Sequence, residues 1–162
     1  MSEFVFDTAF YTTLGFEGGY VNNPNDTGGE TKYGISKKAY PDLDIKNLTE
    51  EQAKDIYKRD YWDRCKCAFM PDALSIAVFD FAVNGGTKRA IRYLQRALGV
   101  TIDGCIGNQT IAACNRVPTK YVLDKFIEYR LQYLMNLKSW KYFGNGWGNR
   151  VRTLKNVCER YL

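Results

Sequence analysis

The segment ALSIAVFDFAVN, residues 73–84, is apolar on nearly every side of the helix that its pattern predicts. A helix that is apolar all round has to be covered on all sides, so this segment predicts the centre of the core. Pro71 stands just before it, as at the start of a helix, and the run ends at Asn84 and two glycines. We therefore expect a mainly α-helical protein organised around one central helix.

Helical patterns also occur on both sides of this central segment. Thr49 is followed three positions later by Gln52, the spacing of a capping box, so a helix is expected from there to about Asp63. Several glycines in residues 143–148 predict a break in the chain. The other expected helices cover residues 4–17, 88–98 with Thr87 as their cap, 110–116, 119–140 and 149–161.

Residues 18–36 differ in composition from the helices around them. They contain five glycines, one proline and three asparagines. These residue types favour turns, so an irregular loop or a short hairpin is expected. With 162 residues and 45% apolar content, the chain is expected to form a single mainly α domain with this small β-like insertion near its N-terminus.

The composition excludes several enzyme classes, because the sequence contains no histidine. Ser-His-Asp hydrolases, Cys-His peptidases and zinc enzymes with histidine ligands all need an imidazole. If the protein is a hydrolase, carboxylates have to transfer the protons, as they ordinarily do in glycoside hydrolysis. The net charge of +5 suits an anionic partner, which leaves nucleic acid, a membrane surface and a cell-wall polymer open.

Two carboxylates near the glycine-rich segment are candidates for this chemistry. Glu17 ends the first expected helix, where the helix dipole disfavours a carboxylate, and two glycines follow it. Asp26 lies nine residues later in a turn-forming sequence, and a hairpin of this length can bring both carboxyl groups to one cleft. The spacing leaves the retaining and inverting geometries open. The structural alternatives are a surface carboxylate for Glu17 and an Asx turn for Asp26, with Glu30 as a competing carboxylate.

These residues belong to a pattern that resembles a known family. EGGY at residues 17–20 and DTGGETKYGIS at residues 26–36 resemble the signature of glycoside hydrolase family 108, muramidase endolysins typical of phages that infect Gram-negative bacteria. The resemblance continues in stretches between residues 79 and 110 and at residues 146–150, so it spans nearly the whole chain. Asn108 departs from the family, in which proline usually follows Ile-Gly at this point, and this should alter only a turn.

The resemblance implies a lysozyme-like fold and cleavage of the β-1,4 bond between N-acetylmuramic acid and N-acetylglucosamine, for host-cell lysis. It implies that residues 1–86 form a catalytic part and residues 87–162 a helical part similar to peptidoglycan-binding segments. Glu17 matches the catalytic glutamate and would act as the general acid, its acid form favoured by desolvation. Asp26 would stay ionised to orient water or balance positive charge. Thr31, one position out of register with T-even phage lysozymes, would help to hold the water.

Five further residues are expected to contact the sugar chain, and each has a structural alternative. Tyr20 and Tyr33 offer rings and hydroxyls, or simply pack. The amide of Asn84 suits an N-acetyl group, or ends a helix. Asp80, one turn earlier on the same face, is either a substrate contact or a buried structural partner. Trp62 and the tyrosine before it form either a sugar platform or part of the core.

The expected partners follow from charge and motifs. The last helix is basic and amphipathic, which predicts contact with an anionic membrane surface; alternatively, its apolar face packs on the core. No base-reading motif occurs, so we expect no nucleic-acid partner, and we expect a monomer that needs no cofactor or metal. With no apparent export signal and an odd set of five cysteines, the protein is expected in the host cytoplasm, reaching the wall after release through a holin pore.

Overall fold

The computed structural model describes residues 2–15, 19–25 and 28–162. In chain order its elements are α1 (Ser2–Leu14), β1 (Val21–Asn22), β2 (Glu30–Lys32), β3 (Ile35–Ser36), α2 (Glu50–Tyr57), a π-helical turn (Lys58–Trp62), a 3₁₀ turn (Cys67–Phe69), α3 (Asp72–Gly85), α4 (Thr87–Leu98), α5 (Asn108–Arg116), α6 (Thr119–Met135) and α7 (Trp140–Glu159). The described part is mainly α-helical with one small sheet, as the sequence predicts.

Helix α3 is the centre of the core, which confirms the prediction made from residues 73–84. All ten residues from 73 to 82 are buried, and α1, α4, α6 and α7 pack around the helix. Phe79 contacts Phe6 of α1, with ring centroids 5.7 Å apart. Phe81 contacts Phe126 of α6 at 5.8 Å. The helix is therefore apolar all round because it has neighbours all round.

The expected capping box is present at the start of α2. The Thr49 hydroxyl accepts from the backbone N–H of Gln52 at 3.2 Å, and the Gln52 side chain accepts from the Thr49 N–H at 2.9 Å. The π-helical turn continues α2 to Trp62, close to the predicted end. The pair of reciprocal bonds satisfies two backbone donors that would otherwise lack partners.

The expected hairpin is a three-stranded antiparallel sheet in the order β1-β2-β3. Lys32 pairs with Ile35, so a two-residue turn joins β2 to β3. Its residues, Tyr33 and Gly34, have φ angles of 52° and 75°. Two positive φ angles match the tight turns whose twist fits a hairpin, and glycine adopts that conformation without steric cost.

Helix α7 corrects the largest error of the sequence-based expectation. The predicted break at residues 143–148 is absent, because α7 runs unbroken from Trp140 to Glu159. A Cβ atom on Gly144 would lie 2.6 Å from Cε2 of Trp140, so this glycine makes room for the indole one turn earlier. The glycines here serve side-chain packing and do not end a helix.

Other helix ends also differ from the expectation. Helix α1 ends at Leu14, before Glu17, and Gly15 follows in the left-handed conformation with φ 62°. Helix α6 ends at Met135, five residues before the predicted end. Thr87 is the first residue of α4 and not its cap. A helix end of this kind depends on local backbone bonds that periodicity alone does not reveal.

The apolar face of the last helix packs on the core. Val151, Leu154 and Cys158 of α7 are all buried. Contact with an anionic membrane surface therefore stays a prediction that would use the basic face of this helix alone. None of the helices in the described part of the chain is long and apolar enough to cross a membrane.

Candidate active site

Two of the three predicted catalytic residues, Glu17 and Asp26, lie outside the described residues. The third, Thr31, is in the middle strand of the sheet, opposite Val21 on one side and Ser36 on the other. It is half-buried. The site is therefore described through the elements that come before and after Glu17 and Asp26 in the chain.

The β2–β3 turn packs against the end of α1. A Cβ atom on Gly34 would lie 3.6 Å from Cδ2 of Leu14, the last residue of α1. The hydroxyl of Tyr57, on α2, donates to the carbonyl oxygen of Tyr33 at 2.9 Å. The turn is thus fixed between α1 and α2. This contact joins the sheet that carries Thr31 to the helix that Glu17 follows in sequence.

Tyr20 and Glu30 form a polar pair on this sheet. The Tyr20 hydroxyl donates to Oε2 of Glu30 at 2.5 Å, and this bond raises the pKa of Tyr20. Successive side chains of a strand point to opposite faces, so Glu30 faces away from the side of Thr31. The competing carboxylate is therefore held by a tyrosine, while the ring of Tyr20 stays exposed. Tyr33, the other predicted tyrosine, packs partly buried against the core.

Asp80 is the hub of a buried polar network and has only 1% of its surface exposed. Its carboxylate lies 2.5 Å from Nη1 of Arg130 on α6 and 3.3 Å from Nη2 of Arg150 on α7. It also accepts from the Thr13 hydroxyl of α1 at 2.8 Å. Burial raises the pKa of Asp80, but the two arginines and Thr13 outweigh burial and hold it below its ordinary value of 3.8. The network links the end of α1 to three other helices.

These positions correct two of the expected sugar contacts. Asp80 is the buried structural partner, so it is not available to a sugar. Trp62 is 2% exposed and packs edge to face against Phe6 and Phe79, so it belongs to the core. Asn84, in contrast, is exposed at the end of α3, and its amide donates to the Asp80 carbonyl at 3.1 Å.

Arg130, the partner of Asp80, is a functional-site residue that was not predicted from the sequence. Arg130 is 3% exposed and follows Leu123, Phe126 and Ile127 on the buried face of α6. An arginine on an apolar stripe and an aspartate in an apolar helix together indicate a buried pair. No group of three or more His, Cys, Asp or Glu side chains arranged to hold a metal ion occurs among residues 2–15, 19–25 and 28–162.

Comparison with known proteins identifies the class to which this arrangement belongs. The model of the glycosyl hydrolase 108 family matches residues 10–86, and that of a predicted peptidoglycan domain matches residues 89–152. A solved structure, SagA of Brucella abortus, is 32% identical and superposes with a TM-score of 0.85. The alignment covers 98% of this chain and 96% of SagA. No curated protein matches the chain.

The fold and these matches define a lysozyme-like glycoside hydrolase that acts on peptidoglycan. The chain belongs to the glycosyl hydrolase 108 family. The division at residue 86 into a catalytic and a binding part stays a prediction. In the structure, α3 from the first part packs directly against α4, α6 and α7 from the second.

Proposed function

We propose that this protein is a muramidase that hydrolyses the β-1,4 bond between N-acetylmuramic acid and N-acetylglucosamine. The observation that carries the proposal is that the β2–β3 turn lies beside the end of α1, where a Cβ atom added to Gly34 would be 3.6 Å from Cδ2 of Leu14. This arrangement joins the strand of Thr31 to the helix that precedes Glu17 in the chain. The matches to the glycosyl hydrolase 108 family and to a predicted peptidoglycan domain support peptidoglycan as the substrate. The absence of histidine leaves carboxylates to transfer the protons.

In the proposed mechanism Glu17 donates a proton to the leaving glycosidic oxygen. Asp26 stays ionised and either orients the attacking water or balances the positive charge that develops on the sugar ring. Thr31 helps to hold the water from the central strand of the sheet. Tyr20 and Asn84 contact the sugar chain from the exposed positions that they occupy.

The proposal is tested by the clearing of outer-membrane-permeabilised Gram-negative cells. Glu17→Gln keeps the shape of the side chain and removes the acid, so we expect the clearing rate to fall by about 10²–10⁴-fold. The matched control is Glu30→Gln, which removes the nearby carboxylate that Tyr20 holds, and which should stay within about threefold of wild type. Equal losses in both variants, or no loss in folded Glu17→Gln, would contradict the assignment.

The products decide which bond is cut. Mass spectrometry of the soluble fragments should find reducing-end N-acetylmuramic acid with one added water per cut. Reducing-end N-acetylglucosamine would indicate the other glycosidic bond. An internally cyclised muramic acid end, formed without water, would indicate a non-hydrolytic lyase and would overturn the role given to the water.

We also propose that the protein serves host-cell lysis during phage release. The family resemblance and the net charge of +5, which suits an anionic wall, support this role. Expression of the chain in the cytoplasm of a Gram-negative host should cause lysis only when a pore-forming holin is expressed with it. Lysis of equal speed without the holin would contradict the proposed route.

A further inference from the structure

A cavity of about 200 Å³ lies between α3, α6 and α7, beside the Asp80 network. Asn84 and Arg150 are exposed at its edge, whereas Arg130 is buried, so the cavity opens to solvent above a buried guanidinium. Trp147 lines one side and stacks on Phe143, with ring centroids 5.7 Å apart. Asn84 is the lining residue to which we have already given a contact with the sugar chain, and the cavity itself has no role in the mechanism proposed above.

The charges around the cavity do not cancel. Arg130 and Arg150 both line it, and both bind the single carboxylate of Asp80. Of the described residues, no acidic one lines the cavity. One positive charge is therefore left over at this site. The Nε atom of Arg130 is also buried without a hydrogen-bond partner among the described residues.

Arg150 connects the cavity to the proposed active site. Its Nη2 donates to the carbonyl oxygen of Thr13 at 2.7 Å, in the last turn of α1. Its side chain is 42% exposed, and a guanidinium has five N–H donors, of which Nη2 supplies two. Arginine binds carboxylates through paired hydrogen bonds because its planar fork matches their geometry. A ligand at this arginine would thus lie next to the end of the helix that Glu17 follows.

The other walls suit a small organic acid. Tyr133, Leu134 and Leu137 offer apolar surface, Trp147 offers an aromatic face, and Asn84 offers an amide. A carboxylate carried on a short aliphatic group would place its charge at Arg150 and its carbon atoms on these walls. Peptidoglycan carries such groups in two forms. Where the peptide stem is absent, the lactyl ether of muramic acid ends in a free carboxylate; where the stem is present, an amide bond replaces that carboxylate and the stem itself carries the free carboxylates.

We propose that this cavity binds a carboxylate of the muramic acid unit or of its peptide stem, and so favours peptidoglycan over uncharged glycans such as chitin. This inference rests on the proposed function, since it names the group by which the substrate is recognised. The chemistry shared by both sources is a carboxylate on a short aliphatic group close to the sugar.

Binding to the wild-type protein tests this without turnover, by following the indole N–H signals of the tryptophans by NMR. The probes are N-acetylmuramoyl-L-alanyl-D-isoglutamine, N-acetylmuramic acid and N-acetylglucosamine. We expect the Trp147 signal, assigned with Trp147→Phe, to move with at least one of the two acids and not with the neutral sugar. The buried Trp62 is the internal control. A shift with the first acid alone identifies the stem, and a shift with the second identifies the lactyl group.

Variants on one helix separate specific binding from general attraction. Arg150→Gln should weaken binding of the acid probe by about tenfold or more, and Arg150→Lys by less. The matched control is Arg152→Gln, which removes an exposed charge that contacts Asn149 and lies outside this cavity. It should change affinity by about twofold at most. A cooperative thermal unfolding transition shows that each variant is folded. If a variant fails to fold, the titration of the wild-type protein still tests the proposal.

The outcomes separate this proposal from the proposed function. No response of Trp147 to either acid, an equal response to N-acetylglucosamine, or equal losses in Arg150→Gln and Arg152→Gln would overturn the cavity assignment. None of these results bears on whether the glycosidic bond is cut. Conversely, if folded Glu17→Gln clears cells normally while Trp147 still responds to the acid, the proposed catalysis fails and the binding site remains.

Discussion

The small sheet and helix α3 are held in place by different means. The strands are two or three residues long, the side chains of β1 are exposed, and Ile35 is the buried strand residue among those described. Backbone pairing, one tight turn and the hydrogen bond from Tyr57 to that turn therefore fix this segment. Helix α3 instead has ten consecutive buried residues and neighbours on every side.

The difference separates the part of the molecule for which we propose a role in chemistry from the part that carries stability. In α3 the one charged group of the buried stretch, Asp80, is fully paired. In the sheet, the polar groups of Tyr20, Glu30 and Thr31 stay at or near the surface, where a substrate can reach them. Enzymes commonly place reacting groups on loops that a rigid scaffold positions. The network around Asp80 supplies that scaffold at the end of α1.

The largest expected effect is in the helical region, at Asp80. Asp80→Asn leaves Arg130 buried without its counter-ion, so the free energy of unfolding should fall by about 3–5 kcal/mol. Urea denaturation measures this. The control is Glu128→Gln, which breaks an exposed 3.7 Å pair with Lys125 and should cost less than about 1 kcal/mol. If both variants lost the same free energy of unfolding, burial would not make the Asp80–Arg130 pair more important for stability than the exposed Lys125–Glu128 pair.

The same carboxylate predicts how stability depends on pH. The pKa of folded Asp80 lies below its ordinary value of 3.8, so its contribution is complete well above that value. The contribution is lost as the pH falls below 3.8 through the lower folded pKa, because the unfolded chain binds the proton first. Urea denaturation over this range should show a steeper acid loss in wild type than in Asp80→Asn. Parallel curves would contradict the assignment.

In the sheet, the two glycines with positive φ should respond unequally to alanine. Gly34→Ala strains the turn and places a Cβ atom 2.7 Å from the Tyr57 hydroxyl, so we expect a loss of about 2–4 kcal/mol. Gly29→Ala has a similar φ of 70° but only an ordinary contact with Lys37, and should cost about 1–2 kcal/mol. Urea denaturation compares the two. A smaller loss at Gly34 would show that the turn is not fixed by Tyr57.

The smallest effect separates two glycines of helix α7. Gly144→Ala meets the ring of Trp140 at 2.6 Å, so overpacking should outweigh the gain in helix propensity and cost up to about 2 kcal/mol. Gly146→Ala meets nothing within 4 Å and should stabilise the protein by about 0.5–1 kcal/mol. Thermal unfolding shows whether each substitution raises or lowers the stability of the protein. Stabilisation by both would mean that Trp140 moves aside freely.

Local patterns in the sequence were enough to predict much of the fold. The capping box at Thr49, the buried helix α3 and the hairpin near the N-terminus each depend on residues close together in the chain. The glycines in residues 143–148 wrongly indicate a break within α7, because glycines usually end helices. The signal of the unbroken helix was a repeat of buried small and apolar residues at positions 144, 148, 151, 154 and 158, which continues the helical period.

The candidate site was harder to predict because it depends on contacts between distant parts of the chain. Asp80 and Arg130 are 50 residues apart, and neither residue alone reveals that it is paired. A tryptophan at position 62 suits a sugar-binding platform and a hydrophobic core equally well. Only its packing against Phe6 and Phe79 shows that it belongs to the core. The face of the sheet on which Thr31 lies depends on the register of the strands, which the sequence does not give. The assignments of Glu17 and Asp26 stay predictions from the family pattern.

Helix α1 is joined to α7 at one point and to a residue just after α7 at a second. Arg150 donates to the carbonyl oxygen of Thr13, 137 positions earlier, and the hydroxyls of Thr8 and Tyr161 lie 2.8 Å apart. During synthesis on the ribosome, α1 emerges long before α7. The hydrogen bonds of α1 with Arg150 and Tyr161 can therefore form only after the other helices have been made. Chains stalled before α7 already contain α3, on which α1 packs, but should still be cut at α1 faster than the full chain; equal protection would contradict this order. The enzyme completes the anchoring of its first helix only with its last.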